Sequence, residues 1–473
     1  MDTPISTLPA GFAEALADIV GPQGLRGGEA VGLIHPGQHE DNLAAGLVVS
    51  PGSTDETARV VRACLQAGVP IVSHGGRTGL VGGGISRGGQ IVLSTARMNR
   101  ILRLDPVERV AVVEAGVTLE ALQEAAAAHG LEPGIDIPAR GSATIGGMIS
   151  TNAGGLLAFR NGVMRHQVFG MEAVVADGTV LSDLTRVVKT SAGYDVKHLL
   201  IGAEGTLGVV TAASIKLYPK PAASATALFS MPDVSALLDT IRLALEPQAG
   251  ELRAAEAMWN SYIRFTADEH GWSDPAVPLD APLYLLLSLG GRDEDALKGA
   301  FEALFETVAE RYPDITGLIA SSSRQEAELW RLREDTEAVF RRYPGSPAFD
   351  VSLPQSEIAA YVARIEAELK AIDPQFEPYI FGHLADGNIH LLLNRAGPLD
   401  AGLVARVEDV LYRTLKASGG CFSAEHGIGA KRIDPLYATG DAGKLRLMET
   451  IKATLDPQGL FNPGKVLRGR IPS

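Results

Sequence analysis

Cysteine is nearly absent: 473 residues contain Cys64 and Cys421 and no others. Neither belongs to a Cys-x-x-Cys pair, so a disulfide framework, a thiolate zinc site and an iron–sulfur cluster all lack material. A reducing, cytoplasmic setting fits. Long apolar runs are missing too. No stretch of about 18 apolar residues occurs, so no transmembrane helix is expected. The opening residues, MDTPISTLPAGF, show no basic segment leading into an apolar one, so no signal peptide is expected. Positive charge is in deficit, with a net charge of −14. That argues against non-specific binding to nucleic acid, and no nucleic-acid partner is expected. Tandem repeats and low-complexity tracts are absent as well.

The chain does have length, an ordinary apolar share of 46% and many glycines, 53 in all. A chain of this size suggests two or three domains. The glycines cluster in a few short segments, which points to backbone packed against a ligand. Residues 9–20 read as a short amphipathic helix. GLVVSPGSTDETARVVRACLQAGVPIVSHGG then follows a strand–helix–strand pattern, with Ser53 or Thr54 as the helix cap. Short strands alternate with turns up to residue 220, around the helix TLEALQEAAAAHG. Composition shifts at YPKPAASA, where two prolines and small residues suggest a domain boundary. Beyond it, alternating strand and helix patterns suggest an antiparallel sheet backed by helices.

Three segments concentrate glycine and small hydroxyls. PIVSHGGRTGLVGGG is a strand running into glycines, where backbone N–H groups can approach an anion closely. It matches neither G-x-G-x-x-G opening a helix nor the Gly-Lys-Ser/Thr ending of a P-loop. DIPARGSATIGGMISTNAGG interleaves glycines with Ser142, Thr144 and Ser150. GYDVKHLLIGAEGTLGVVT places Gly202, Glu204, Gly205, Thr206 and Gly208 just before a strand.

GHLADGNIH, residues 382–390, carries a different signal. Asp-Gly is a strong two-residue hairpin signal. A turn centred on Asp386 and Gly387 sets His383 opposite His390, with Cβ atoms roughly 4.5–5.5 Å apart. Two imidazoles at that separation suit one shared ion. They equally suit two half-buried histidines with local hydrogen bonds. A metal site needs a third ligand.

The glycine segments, in this order, resemble the flavin-binding domain of the vanillyl-alcohol oxidase / p-cresol methylhydroxylase superfamily. GHLADGNIH and SAEHGIG resemble its FAD-linked D-2-hydroxyacid dehydrogenase branch, which includes D-2-hydroxyglutarate and D-lactate dehydrogenases and the glycolate oxidase D subunit. The resemblance covers roughly residues 45–470. It implies an α+β fold: a two-subdomain FAD-binding domain over 1–220, a substrate or cap domain of antiparallel sheet and helices over 221–424, and a segment, 425–473, packing back on the FAD domain.

By this resemblance, the backbone of His74, Gly75, Gly76, Arg77, Thr78 and Gly79 holds the FAD pyrophosphate. Pro138, Gly141, Ser142, Thr144, Gly147, Ser150, Asn152 and Gly154 line the rest of the cofactor. Glu204 and Gly205 sit near the adenosine side, with Val209 and Val210 closing it, and Asn462 returns toward the flavin ring. Relatives with a tethered flavin carry a histidine after the Gly-Gly pair; that position here is Arg77, so non-covalent FAD is expected. His383, His390 and Glu425 are the implied ligands of a divalent metal, zinc first, with manganese or iron also suited to these donors. His426 is the implied base that takes the substrate's 2-hydroxyl proton as the C2 hydride passes to flavin N5. Glu425 and His426 can serve one site only if the chain turns there, which HGIG permits.

Arg333, in LWRLREDTEAVF, matches an arginine that takes the substrate carboxylate, and Asn388 is counted with it as substrate-binding. One departure stands out. The family has a lysine two positions before the Asp of DVSLP, and this chain has Ala348. Arg341 or Arg342 could substitute from a shifted loop; otherwise the substrate is held differently and the D-2-hydroxyglutarate assignment is weakened, D-2-hydroxyglutarate and D-lactate being the leading substrates. An electron-transferring flavoprotein or quinone acceptor and a homodimer are the partners the family implies. Two other readings share these motifs: a flavin oxidase that passes electrons to oxygen, and a flavin-binding subunit of a larger complex. The combination of His383, His390, Glu425 and His426 favours an enzyme.

Overall fold

The computed structural model describes residues 8–246, 250–396 and 399–469. The signal-peptide reading falls largely on residues 1–7, outside this range. The chain divides into two units. The first comprises Met1–Gly155, Asn161–Lys220 and Glu425–Ser473; the second comprises Leu156–Arg160 and Pro221–Ala424.

The first unit contains two sheets. In the smaller, β1 (Leu25–Gly27), β2 (Leu47–Val49), β3 (Ile71–His74) and β4 (Ile91–Ser94) run in the order β1-β2-β4-β3. β2, β4 and β3 are parallel, which requires a crossover between β2 and β3. The helix Thr54–Ala67 supplies it. Ser53 caps it by accepting from the Glu56 N–H, and Gly68, at φ 64°, ends it. Its Val60, Val61 and Cys64 face the core and are fully buried, each valine contributing about 1.5–3 kcal/mol of burial. β3 therefore ends where the glycine loop begins.

The larger sheet joins β5 (Ile101–Asp105), β6 (Val110–Glu114), β7 (Leu131–Pro133), β8 (Val168–Val175), β9 (Val180–Asp183) and β10 (Gly208–Pro219). Its order is β5-β6-β10-β8-β9, with β7 on β10, and all pairs are antiparallel. The C-terminal segment adds one more extended stretch to the smaller sheet. Phe461 bridges Ile71 in parallel, and Ile71 N–H donates to Leu460 O while Asn462 N–H donates to Ile71 O. The Phe461 ring is fully buried.

The second unit is one antiparallel sheet of seven strands: β11 (Ala223–Met231), β12 (Glu251–Trp259), β13 (Leu283–Gly291), β14 (Gly317–Ile319), β15 (Ala348–Ser352), β16 (Pro378–His383) and β17 (Asn388–Leu393). Their order is β14-β11-β13-β12-β16-β17-β15. Helices such as Val234–Ala244, Asn260–His270, Glu294–Arg311 and Ser323–Glu334 pack on this sheet. The excursion Leu156–Arg160 into the second unit interrupts the first and has no signal in the sequence pattern.

Candidate functional site

In the first unit, the loop after β3 and the segment around the helix Ile145–Thr151 line a cleft with a cavity volume of about 390 Å³. They approach so closely that only glycine fits. A Cβ on Gly76 would lie 1.9 Å from Ser142 O, and one on Gly75 would lie 2.3 Å from Thr144 Oγ1. Of the residues expected to hold FAD, the stretch His74 to Gly79 lines the cleft. So do Pro138, Thr144, Gly147, Ser150, Gly154, Glu204, Gly205, Val209 and Val210. Gly141, Ser142, Asn152 and Asn462 stand outside the lining. Their contacts explain why. Ser142 offers its carbonyl to the Gly76 approach. Asn152 ends a helix at φ 53° and accepts from Arg165 N–H. Asn462 Nδ2 donates to Gly83 O and Glu204 O, pinning the C-terminal segment to two cleft loops.

Several of these lining residues also have partners within the protein. The small hydroxyls serve the backbone before any ligand: Ser150 Oγ donates to Gly146 O, and Thr144 Oγ1 caps its helix at Gly147 N. The Glu204 carboxylate is also committed. It accepts from Ile428 N–H at 2.7 Å and Gly429 N–H at 2.8 Å, clasping the HGIG turn. Burial pushes this carboxyl up, and the two backbone donors and the nearby Arg432 charge only partly offset it. Gly427 and Gly429, both at positive φ, make the turn that lets Glu425 and His426 follow one another into the cleft lining.

Sequence reasoning missed Asn42 and Ser73. Both line the cleft, and Asn42 Oδ1, Ser73 Oγ and His74 Nδ1 are buried without a hydrogen-bond partner among the described residues. Buried polar atoms are seldom left unsatisfied. Three in one glycine-walled cleft fit a polar, phosphate-bearing ligand such as FAD.

The His74 ring has a testable consequence. Its Nε2 lies 2.7 Å from Gly84 O, and burial, helped by the Arg77 and Lys465 charges, pushes it down to about 4. The folded state therefore resists protonating it. Stability from this group is complete above the unfolded value of 6.5 and is lost as pH falls toward about 4. The loss amounts to about 3 kcal/mol. In urea titrations between pH 7 and pH 4, His74→Gln is expected to show a shallower acid-side decline than the parent; equal slopes would remove His74 from the account.

In the second unit, the Asp-Gly hairpin forms, but with another register. β16 and β17 pair Phe381 with His390, so His383 lies two positions off the expected facing position. The loop has four residues, and only Gly387, at φ 80°, takes positive φ. Asp386 N–H donates to His383 O and Asn388 N–H to Asp386 Oδ1, a turn closed by the aspartate itself. A shift of two residues keeps side chains on the same face. The two rings therefore still meet, with centroids 5.3 Å apart and nearly perpendicular.

Behind His383 lies Glu256 of β12, 1% exposed. It accepts from His383 Nδ1 at 2.6 Å and pairs with Arg333 Nη2 at 2.6 Å. Burial alone pushes this carboxyl up, and the His383 ring and the Arg333 guanidinium outweigh it, so the net shift is down. Arg333 also lies over the Phe381 ring at 4.7 Å, and its Nε has no hydrogen-bond partner among the described residues. Asn388 is buried, with Nδ2 donating to Val351 O and Oδ1 unpartnered among the described residues. Ala348 opens β15 opposite Leu392. Arg341 pairs with Asp335 at 2.8 Å, so it is occupied elsewhere. In the first unit, Glu425 Oε1 accepts from Gly155 N–H at 2.6 Å, and His426 Nδ1 lies 3.4 Å from Arg432 Nη2.

Residues 45–183 match the family described as FAD binding domain, and residues 220–466 match FAD linked oxidases, C-terminal domain. The chain is 38% identical over 427 residues to D-2-hydroxyglutarate dehydrogenase of Xanthomonas citri pv. viticola, covering 89% of this chain and 88% of that one. It is 35% identical to the mitochondrial enzyme of that name from Bos taurus, covering 89% and 76%, and 32% identical to the one from Stutzerimonas stutzeri, covering 89% and 91%. Among solved structures, p-cresol methylhydroxylase with substrate bound matches at a TM-score of 0.74 and 16% identity, covering 97% of this chain and 98% of that one. Alkyldihydroxyacetonephosphate synthase matches at 0.72 and 15%, covering 98% and 86%. These likenesses establish the fold. No helix among the described residues is long and apolar enough to cross a membrane. The glycine-walled cleft and the family matches together place the chain in the FAD-linked oxidase family, as an FAD-dependent oxidoreductase.

Proposed function

We propose that the protein oxidises a D-2-hydroxyacid to the 2-oxoacid at a divalent metal held by His383, His390 and Glu425, with non-covalent FAD as the electron acceptor. The observation that carries this reading is the imidazole pair at the hairpin, with a buried carboxylate fixing one of its members. His383 and His390 bring two imidazoles face to edge in the second unit, and Glu425 is the carboxylate that the family resemblance adds as third ligand. Two imidazoles and a carboxylate form a donor set that zinc accepts, and manganese or iron also fit.

When bound, FAD supplies the two-electron chemistry, and a divalent cation supplies Lewis acidity at the substrate's 2-hydroxyl. The chain's own residues do the rest. Arg333 receives the substrate carboxylate, with one arm on Glu256 and an Nε that has no hydrogen-bond partner among the described residues. His426 takes the hydroxyl proton. Asn388, anchored on Val351 O, offers its Oδ1 as an acceptor. The curated relatives are named for D-2-hydroxyglutarate, and that acid and D-lactate are the leading substrates of this reading. Ala348 leaves the second carboxylate of a diacid without a lysine, and of the two arginines offered in its place Arg341 is paired with Asp335, which leaves Arg342 as the candidate. An electron-transferring flavoprotein or quinone as final acceptor, a homodimer and a cytoplasmic setting complete the proposal.

The test is anaerobic reduction of the bound flavin by a panel of D-2-hydroxyacids, followed by absorbance. D-2-hydroxyglutarate or D-lactate is expected to bleach the flavin, and their L-enantiomers are not. An FAD-loaded protein that no hydroxyacid bleaches would end this reading.

A further inference from the structure

Glu256 is an expensive residue to keep. It sits in a central strand of the seven-stranded sheet, opposite Leu286 on one neighbour and His383 on the other. Met258 and Leu286 of the same apolar cluster surround its position. A carboxylate removed from water in such a place is strongly unfavourable unless paired and hydrogen-bonded. One oxygen accepts from His383 Nδ1 at 2.6 Å; the other is ion-paired with Arg333 Nη2 at 2.6 Å but has no aligned hydrogen bond among the described residues.

The chemistry of the two partners gives the pairing a direction. An ionised carboxylate only accepts, so Nδ1 of His383 must carry a proton. In the neutral ring the lone pair then sits on Nε2, the tautomer a metal needs, and a carboxylate behind a metal-ligating histidine also makes it a stronger donor. The other oxygen holds one arm of the Arg333 fork. Tyr262 stiffens the same corner: its hydroxyl donates to Arg333 O at 2.9 Å, and its ring stacks on Phe381 at 4.2 Å. Phe381 in turn lies beneath the Arg333 guanidinium.

We infer that Glu256 is the positioning residue of the site, one carboxylate that sets the His383 tautomer for metal binding and the Arg333 fork for the substrate carboxylate together. This rests on the metal-centred reading above. Its consequence is that metal affinity and substrate affinity fall together when Glu256 is changed, although Glu256 touches neither ligand.

The experiment uses the full-length, FAD-loaded protein and zinc, with zinc affinity read by competition with a chromogenic chelator. His383→Ala is the control for the parent reading: if it binds zinc as the parent does, the metal site itself is wrong. Glu256→Gln keeps the shape and an acceptor for Nδ1 but presents no charge to Arg333. It is expected to bind zinc about 10- to 100-fold more weakly and to raise KM for the hydroxyacid, with FAD content unchanged. The double variant Glu256→Leu/Arg333→Met removes both buried charges, a change often neutral or stabilising for folding. It is expected to fold and still bind zinc weakly. If His383→Ala loses zinc while both Glu256 variants bind it at parental affinity, Glu256 is a structural residue only and the inference falls.

Discussion

His390→Ala is expected to leave FAD bound and to abolish flavin bleaching by the hydroxyacid. The zinc free energy of four-ligand sites is about 10–16 kcal/mol, or about 3 kcal/mol per ligand. At about 1.4 kcal/mol per tenfold, losing one imidazole weakens the metal more than about 100-fold. Unfolding does not explain such a loss in advance. β17 is hydrogen-bonded on both sides, to β16 and to β15, and its backbone ladder is untouched by the substitution. The FAD cleft is built from other residues, in the first unit. Chelating the parent protein is expected to give the same phenotype, reversed by added zinc or manganese. Full bleaching by a metal-free protein or by His390→Ala would return the two histidines to ordinary packing.

Gly76→Ala is expected to empty the cleft. The added methyl would meet Ser142 O at 1.9 Å and Ser142 C at 2.7 Å, and both are backbone. No side chain can swing aside, so the loop after β3 and the segment before the helix Ile145–Thr151 must part. Overpacking typically costs about 1–3 kcal/mol, which at about 1.4 kcal/mol per tenfold weakens FAD binding about 5- to 150-fold. The ratio of flavin to protein absorbance in purified protein reads this directly. Gly32→Ala is the control: nothing lies within 4 Å of its Cβ, and Gly32 stands outside the cleft lining. Equal FAD content in the two variants would mean that the close approach is not what holds the cofactor loop.

The glycine segments were legible because close backbone approach leaves a compositional mark, and Gly75 and Gly76 carry it. The hairpin was legible in its residues and its face but not in its register. Asp386 takes its own place in the turn through the Asn388 N–H bond, which lengthens the loop to four residues. Parity alone brought His383 and His390 together. Glu204 was placed beside the cofactor by resemblance, and it lines the cleft; what the sequence did not show is that its carboxylate accepts from Ile428 and Gly429, 224 and 225 residues away. Glu256 left no mark at all. Inside RAAEAMW it reads as a charge on a solvent face, and His383, the partner that explains it, is 127 residues distant. Pairings of that range are properties of the folded sheet. The excursion Leu156–Arg160 is illegible for the same reason.

The bridge from Phe461 to Ile71 has a consequence for how the protein is made. A ribosome makes residues 221–424 before it makes the stretch that pairs with β3. The second unit, interrupted in sequence only by Leu156–Arg160, thus has all its strands in hand first. Domains usually complete from the N-terminus as they emerge. Here the unit begun first is finished last, because Phe461 and Asn462 must leave the exit tunnel before the apolar edge at Ile71 is covered and Gly83 and Glu204 are tied together. A nascent chain stalled ahead of Phe461 would carry every strand of the second unit while the nucleotide fold stays open at Ile71, and flavin capture during synthesis would wait for Phe461 and Asn462.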